Sequence, residues 1–301
     1  MHSRNPHQNG YDMDALTRVL PELTPFIIKA KHDRLTIDFS NDKAVKLLNK
    51  ALLMLHYGLL DWDIPAGYLC PPIPGRLDYL CFLDEFLQSH LSSEISQHKG
   101  ITGLDIGTGA NLIYPLLASR HLHWNMVASD IDSGAIKSAE DNIQRNLSLN
   151  LNIQVRKQPD SNKVFENIIM PGEYYHVTLC NPPFHESRAA AMAGSERKNT
   201  NLNRNKQKRQ SNLKKIEQTK TLNFQGKGNE LWCQGGEKRF IADMICESKM
   251  FQQQVGWFTC LVSKKETIAH IKRLLNKLNG QFKEVPMKQG NKISRFIAWR
   301  F

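Results

Sequence analysis

Asn181-Pro182-Pro183-Phe184 is the stretch whose residue types and spacing could do chemistry. It follows a short apolar run, 177–180, that reads as a buried strand. A proline donates no ladder hydrogen bond and drives the residue before it out of the helical region, so Pro182 and Pro183 end the strand and hold Asn181 extended. The Asn181 carboxamide oxygen and the Pro182 carbonyl then make two acceptors at a cleft, which suits an exocyclic NH2 group. Phe184 adds an aromatic face for a planar base. Taken alone, the stretch also reads as an ordinary proline-rich loop after a strand.

A second group lies upstream. In Asp105-Ile106-Gly107-Thr108-Gly109-Ala110-Asn111 two glycines one residue apart let the backbone pass directly over a ligand, because no Cβ stands in the way. A dinucleotide fingerprint needs a third glycine where this chain has Leu112, so a nicotinamide or flavin site is disfavoured. Asp130 follows about 20 residues later, at a spacing where a strand-end carboxylate can accept both ribose hydroxyls. Together these features suit a ribose-bearing ligand.

The elements that must position these residues alternate between strand and helix from residue 100 onward. Strands are predicted at 101–106, 126–129, 153–156, 175–180 and 256–262, and helices over 111–119 and 133–147. A helix led by Gly235-Gly236-Glu237 follows, then another capped by the Ser263 to Glu266 stretch, and strands near 282–287 and 293–299 read as an antiparallel hairpin edge. The alternation implies an α/β fold, a Rossmann-like sheet of seven mostly parallel strands that gathers ligands at its carboxyl ends. Residues 1–75 read as an N-terminal accessory region, with a helix capped by Ser40 or Asn41. The Pro71-Pro72-Ile73-Pro74-Gly75 punctuation marks a boundary before a helix starting near Arg76. Arg76 itself reads either as a ligand-facing cation or as a solvated surface residue.

Composition bounds the function. With 41% hydrophobic and 23% charged residues in 301, the chain is ordinary for a globular protein. Neither an export signal nor a membrane span is expected, since the 51–60 apolar run is interrupted by His56 and Gly58 and is too short for a bilayer. The six cysteines form no C-x-x-C pair, which points to buried thiols in a reducing cytoplasm, and the eleven histidines show no ligand spacing, so no metal is expected. The net charge of +11 is unevenly placed: residues 195–230 hold ten basic side chains against three acidic ones. That insertion has almost nothing apolar to bury and should order only on a partner. A polyanion suits it, with Arg204, Lys206, Lys208, Arg209, Lys214 and Lys215 as phosphate contacts, although a solubilising loop has the same composition. Lys264, Lys292 and Arg295, at predicted turns or strand ends, could extend a phosphate-binding rim, and each also reads as solvated surface charge.

The order of G-x-G, strand-end Asp130 and strand-end Asn181 resembles the adenosylmethionine-dependent amino-methyltransferases. The opening His2-Ser3-Arg4-Asn5-Pro6-His7, the junction Pro74-Gly75-Arg76-Leu77-Asp78-Tyr79, Gly235-Gly236-Glu237 and the closing Ala298-Trp299-Arg300-Phe301 narrow this. Almost end to end, the chain resembles the ribosomal RNA large subunit methyltransferase F family, which is similar to eukaryotic adenine-N6 RNA methyltransferases. The resemblance implies a class I methyltransferase domain over 76–301 behind an RNA-binding N-terminal region that includes Arg4. It implies transfer of a methyl group from S-adenosylmethionine to the N6 amine of one adenine in 23S ribosomal RNA. The substrate would be free RNA or an assembling large subunit, and the enzyme a cytoplasmic monomer. Arg76, Asp105, Gly107, Gly109, Asn111, Asp130 and Asn181 would line the donor site, and Asn181 to Phe184 would hold the base. Asn111 stands where relatives can carry Ser, and Asp130 where some carry Glu. Two other readings stay open: protein glutamine methylation, which also uses Asn-Pro-Pro before an aromatic, and a non-catalytic RNA-binding assembly factor.

Overall fold

The computed structural model describes residues 1–30, 33–91, 93, 96, 100–183, 185–187, 232–289 and 292–301, the side chains of 288, 289, 292 and 293 excepted. Seven strands form the central sheet: β3 (Thr102–Ile106), β4 (Asn125–Asp130), β5 (Ile153–Lys157), β6 (Tyr175–Cys180), β7 (Val255–Leu261), β8 (Gln281–Gln289) and β9 (Lys292–Arg300). Their order is β5-β4-β3-β6-β7-β9-β8, parallel from β5 to β7 and antiparallel at the β9 and β8 edge. The hairpin edge and the mostly parallel sheet are as expected from the sequence.

Every residue of β6 is buried, because it pairs on both sides and helices cover both faces. Period-two alternation divides the strand side chains between two apolar clusters. Val177, Leu179, Trp257 and Phe296 face one; Cys180, Phe258, Cys260 and Ile297 face the other.

Helix α1 (Met13–Val19) and strands β1 (Ile27–Lys29) and β2 (Leu35–Ile37) precede α2 (Asp42–Tyr57). Asn41 caps α2 by accepting the Ala44 N–H at 3.1 Å, and Gly58 ends it in the left-handed conformation at φ +64°. Leu16, Leu23, Leu48 and Leu52 of this N-terminal stretch share one cluster with Leu80 and Leu116 of the α/β unit.

Helix α3 (Ile73–His90) begins three residues before Arg76, with Pro72 at its N-cap and Pro74 in its first turn. The proline-rich punctuation therefore opens the helix rather than preceding it, because proline fits the first turn, where its missing N–H has no partner to lose. Helix α4 (Ile113–Leu122) starts two residues later than the sequence suggests. Leu112 takes a left-handed φ of +51° and Asn111 Oδ1 accepts the Ile113 N–H at 3.0 Å, closing a turn before the helix. Helix α5 (Ser133–Gln144) is capped by Asp132, which accepts the Gly134 and Ala135 amides. It carries Asn142, which with Asn146 just beyond its end fastens the chain at 60–63 through paired backbone hydrogen bonds. Helices α6 (Gly236–Ser248) and α7 (Lys265–Lys277) flank β7. The expected Ser263 cap of α7 is not what holds its start: Ser263 donates to Glu237, whose carboxylate also accepts the Ser263 and Lys264 amides and the Thr267 hydroxyl. Among the described residues no helix is long and apolar enough to cross a membrane.

Candidate active site

The strand order reverses direction between β3 and β6, so the carboxyl ends of β4, β3 and β6 lie side by side. Register aligns Ile106 with Ser129 on one flank and with Cys180 on the other, which puts Gly107, Asp130 and Asn181 one residue further at a common edge. A cleft of about 610 Å³ opens there. Arg76, Gly107, Gly109, Asn111, Asp130 and Asn181 line it; Asp105, expected with them, does not.

The glycine turn is built around β4. The Gly107 and Thr108 amides both donate to the Ser129 carbonyl at 2.9 Å, and the Gly109 amide donates to Asp130 Oδ2 at 2.9 Å. Gly107 has a left-handed φ of +71°, and a Cβ there would meet nothing within 4 Å: the space over the turn is open for a ligand. Burial raises the Asp130 carboxyl above its ordinary value, opposed by the Asp132 and Gly109 amides. Asn111 lines the cleft, but its carboxamide is engaged with the Ile113 amide and the Leu69 carbonyl, and its own carbonyl accepts the Trp62 indole N–H at 2.9 Å. The N-terminal stretch thus props the donor loop from behind.

Asp105 sits behind the turn at 1% exposure, with neither carboxylate oxygen hydrogen-bonded. Burial pushes its carboxyl up to about 7; the Asp130 charge adds to this, while the nearby Thr108 hydroxyl and Arg76 guanidinium oppose it. A buried carboxylate with so little solvation is costly to ionise, which is what raises it. The open turn over Gly107 and the strand-end Asp130 carboxylate suit the nucleoside of an amino-acid-bearing ligand. These residues fit S-adenosylmethionine.

Arg76, in the first turn of α3, reaches across the cleft to the end of β6. Oriented by hydrogen bonding, the Asn181 carboxamide turns its oxygen to the guanidinium and accepts from Nη1 and Nη2, each at 3.2 Å. Nη1 also donates to the Tyr114 hydroxyl at 2.8 Å. Pro182 is buried and Pro183 lines the cleft. Phe184 lies outside the described residues. On the far side His185 bridges to Trp232 and its carbonyl accepts the Cys233 amide, so that Trp232, Cys233 and Phe240 form a wall opposite the glycine turn. Sequence reasoning missed Tyr114 and Trp232 as cleft residues: one sits two residues into a helix as an ordinary core aromatic, the other just before a glycine pair.

The expected RNA contacts are scattered. Arg4 is turned to α3, paired with Asp84 at 2.7 Å and donating to the Cys81 carbonyl at 2.9 Å. Arg295 lies within β9 rather than at its end, 17% exposed and paired with Glu284. Lys264 is half exposed, 3.5 Å from Glu186. Lys292 opens β9, and Arg204, Lys206, Lys208, Arg209, Lys214 and Lys215 lie outside the described residues. Among the described residues no cluster could hold a metal ion.

An open α/β sheet with a G-x-G turn, a strand-end aspartate and a strand-end Asn-Pro-Pro defines the Rossmann-like class of methyltransferases that use S-adenosylmethionine. The profile of a family described as RNA methyltransferase matches residues 1–301, and the chain belongs to this family. It is 50% identical over 303 residues to the ribosomal RNA large subunit methyltransferase F of Colwellia psychrerythraea, covering 100% of this chain and 99% of the relative. It is 47% identical over 301 residues to the protein of the same name from Christiangramia forsetii, with 100% of each covered. Among solved structures it is similar to the hMettl16 catalytic domain in complex with MAT2A 3′UTR hairpin 6. That match has 27% identity and a TM-score of 0.76, covering 100% of this chain and 97% of that one. The protein is an S-adenosylmethionine-dependent RNA methyltransferase.

Proposed function

We propose that the protein methylates the N6 amine of a specific adenine in 23S ribosomal RNA, free or in an assembling large subunit, acting as a monomer in the cytoplasm. The observation that carries this reading is Asn181 at the end of β6, its carboxamide oxygen facing the cleft-lining Arg76 beside the open glycine turn. The names of the relatives at 50% and 47% identity support the large-subunit RNA as substrate.

S-adenosylmethionine supplies an electrophilic methyl group. Asp105 would hold its ammonium, Asp130 its ribose hydroxyls, and Gly107 and Gly109 would pass over it. The adenine N6 lone pair is delocalised into the ring, which makes the amine a poor nucleophile, but no proton has to leave before attack. Asn181 and the Pro182 carbonyl therefore need only accept the two amine N–H groups, which draws the nitrogen toward a pyramidal geometry and aims its lone pair at the methyl. The proton leaves afterwards, once the nitrogen carries positive charge. Phe184 would stack on the extruded base and offset part of the cost of a few kcal/mol for unstacking it. The basic insertion at 195–230, the 1–75 region and Lys264 at the rim would hold the RNA backbone.

Mapping of N6-methylated adenines in 23S ribosomal RNA from cells with and without the protein tests this reading. One site should vanish in its absence and return on complementation. An unchanged map would refute it.

A further inference from the structure

Arg76 and Asn181 are 105 residues apart, and what fixes their contact is a third side chain. Tyr114, at the second position of α4, is 4% exposed and lines the cleft. Its hydroxyl accepts the Arg76 Nη1 hydrogen bond at 2.8 Å, and the guanidinium carbon lies 5.4 Å from its ring centroid. One helical turn along α3 from Arg76, the Tyr79 ring meets the Tyr114 ring edge to face at 5.6 Å and 87°. Tyr114 is thus gripped by two residues of one helix. Tyr79 is fixed in turn: its hydroxyl lies 2.7 Å from Thr259 Oγ1, which donates to the Thr178 carbonyl at 2.6 Å, so the Tyr79 O–H is the donor to Thr259. Thr178 is three residues before Asn181 on β6. Tyr114 and the acceptor asparagine therefore hang on a common frame.

We propose that Tyr114 is a positioning residue for methyl transfer, acting through Arg76 to set which end of the Asn181 carboxamide meets the target amine. This rests on the reading of Asn181 as the amine acceptor. The two ends of a carboxamide are nearly the same shape, and only the oxygen can accept from an exocyclic NH2; the NH2 end would set donor against donor. A guanidinium held beside Asn181 has no acceptor to offer, so it selects the orientation with oxygen toward it. Nη1 and Nη2 share the two lone pairs of that oxygen, and the entering amine would take one of them while the guanidinium keeps the other. A guanidinium free to swing would lose this selection, and the Tyr114 hydroxyl is what restrains it. The buried hydroxyl is held in its protonated, uncharged form, since burial pushes its pKa up to about 12.

The test is Tyr114→Phe, which keeps the ring and its packing and removes only the hydroxyl. Single-turnover methylation of transcribed large-subunit ribosomal RNA at saturating S-adenosylmethionine should slow by about tenfold, the effect of one hydrogen bond to a charged group. The Kd for S-adenosylhomocysteine should stay at its wild-type value, and the thermal midpoint should fall only by the few degrees that one lost hydrogen bond costs. In an Arg76→Ala or Arg76→Lys background, Tyr114→Phe should cost nothing further, because the residue through which it acts is already gone. Independently of turnover, the side-chain amide resonances of Asn181 should shift in Tyr114→Phe. An unchanged methylation rate, an equal further loss in both Arg76 backgrounds, or unmoved Asn181 resonances would overturn the proposal. A wild-type protein that methylates no adenine would instead refute the proposed function, leaving the resonance test of the Tyr114 to Asn181 linkage intact.

Discussion

Asp130 Oδ2 accepts the Gly109 main-chain N–H at 2.9 Å, so the carboxylate that ends β4 also closes the glycine turn that ends β3. One side chain thereby shapes the turn and lines the cleft. Asp130→Ala removes both, and S-adenosylhomocysteine affinity measured by calorimetry should fall about 10- to 100-fold. Asp130→Glu, which keeps the charge, should lose less. Equal affinity of the alanine variant and the wild type would mean that the carboxylate does not touch the donor.

Asp105 makes stability depend on pH. Its carboxyl is pushed from the ordinary 3.8 up to about 7 in the folded chain. Between those values the unfolded chain has lost this proton while the folded chain keeps it, so this group's contribution makes the folded state less stable as pH rises from about 3.8 to about 7, and flat above. Asp105→Asn lacks the titration. The thermal midpoint of the variant relative to wild type should therefore rise across that window and level off beyond it. If the ionised carboxylate pairs with the donor's ammonium, binding at pH 6 releases a proton and binding at pH 8 does not. Calorimetry at pH 6 in two buffers of different ionisation heat checks this; identical heats would contradict it.

The loop at 158–166 lines the cleft through Ser161, Asn162 and Lys163. A single carboxylate from α6 holds it: Glu247 accepts the Val164, Phe165 and Glu166 amides, each at 2.8 Å. Glu247→Ala should expose those three amides to faster hydrogen exchange and destabilise the protein by about 2 kcal/mol. The loop would then order only on binding, so S-adenosylhomocysteine affinity should fall as well. Unchanged exchange at 164–166 would show that the loop holds itself.

What the sequence makes legible is what local pattern controls. The strand at 175–180 is predicted to the residue, because an apolar run stopped by two prolines has few other conformations. The glycine turn, Asp130 and Asn181 emerge together at the strand ends because the alternation of strands and helices dictates a parallel sheet. The remainder depends on partners distant in the chain. Glu237, not Ser263, anchors the start of α7 from 26 residues away, and no capping pattern signals that. Arg4 is expected as an RNA contact, and its pairing with Asp84, 80 residues on, has no local signal. The triad of Arg76, Tyr114 and Asn181 unites three elements and leaves no spacing to read. Arg295 reads as a strand-end charge because local pattern does not fix the hairpin register; in that register it lies opposite Pro286 and reaches diagonally to Glu284.

The most direct measurement of the central claim is mass-spectrometric quantification of N6-methyladenosine formed in transcribed 23S ribosomal RNA by the wild type and by Asn181→Ala. Donor and RNA would both be saturating, with binding of each measured alongside. The wild type should methylate one adenine, and the variant should be slower by at least about 100-fold while binding S-adenosylhomocysteine and RNA nearly as well. N6-methyladenosine formed by Asn181→Ala at the wild-type rate, or none formed by the wild type, would contradict the account.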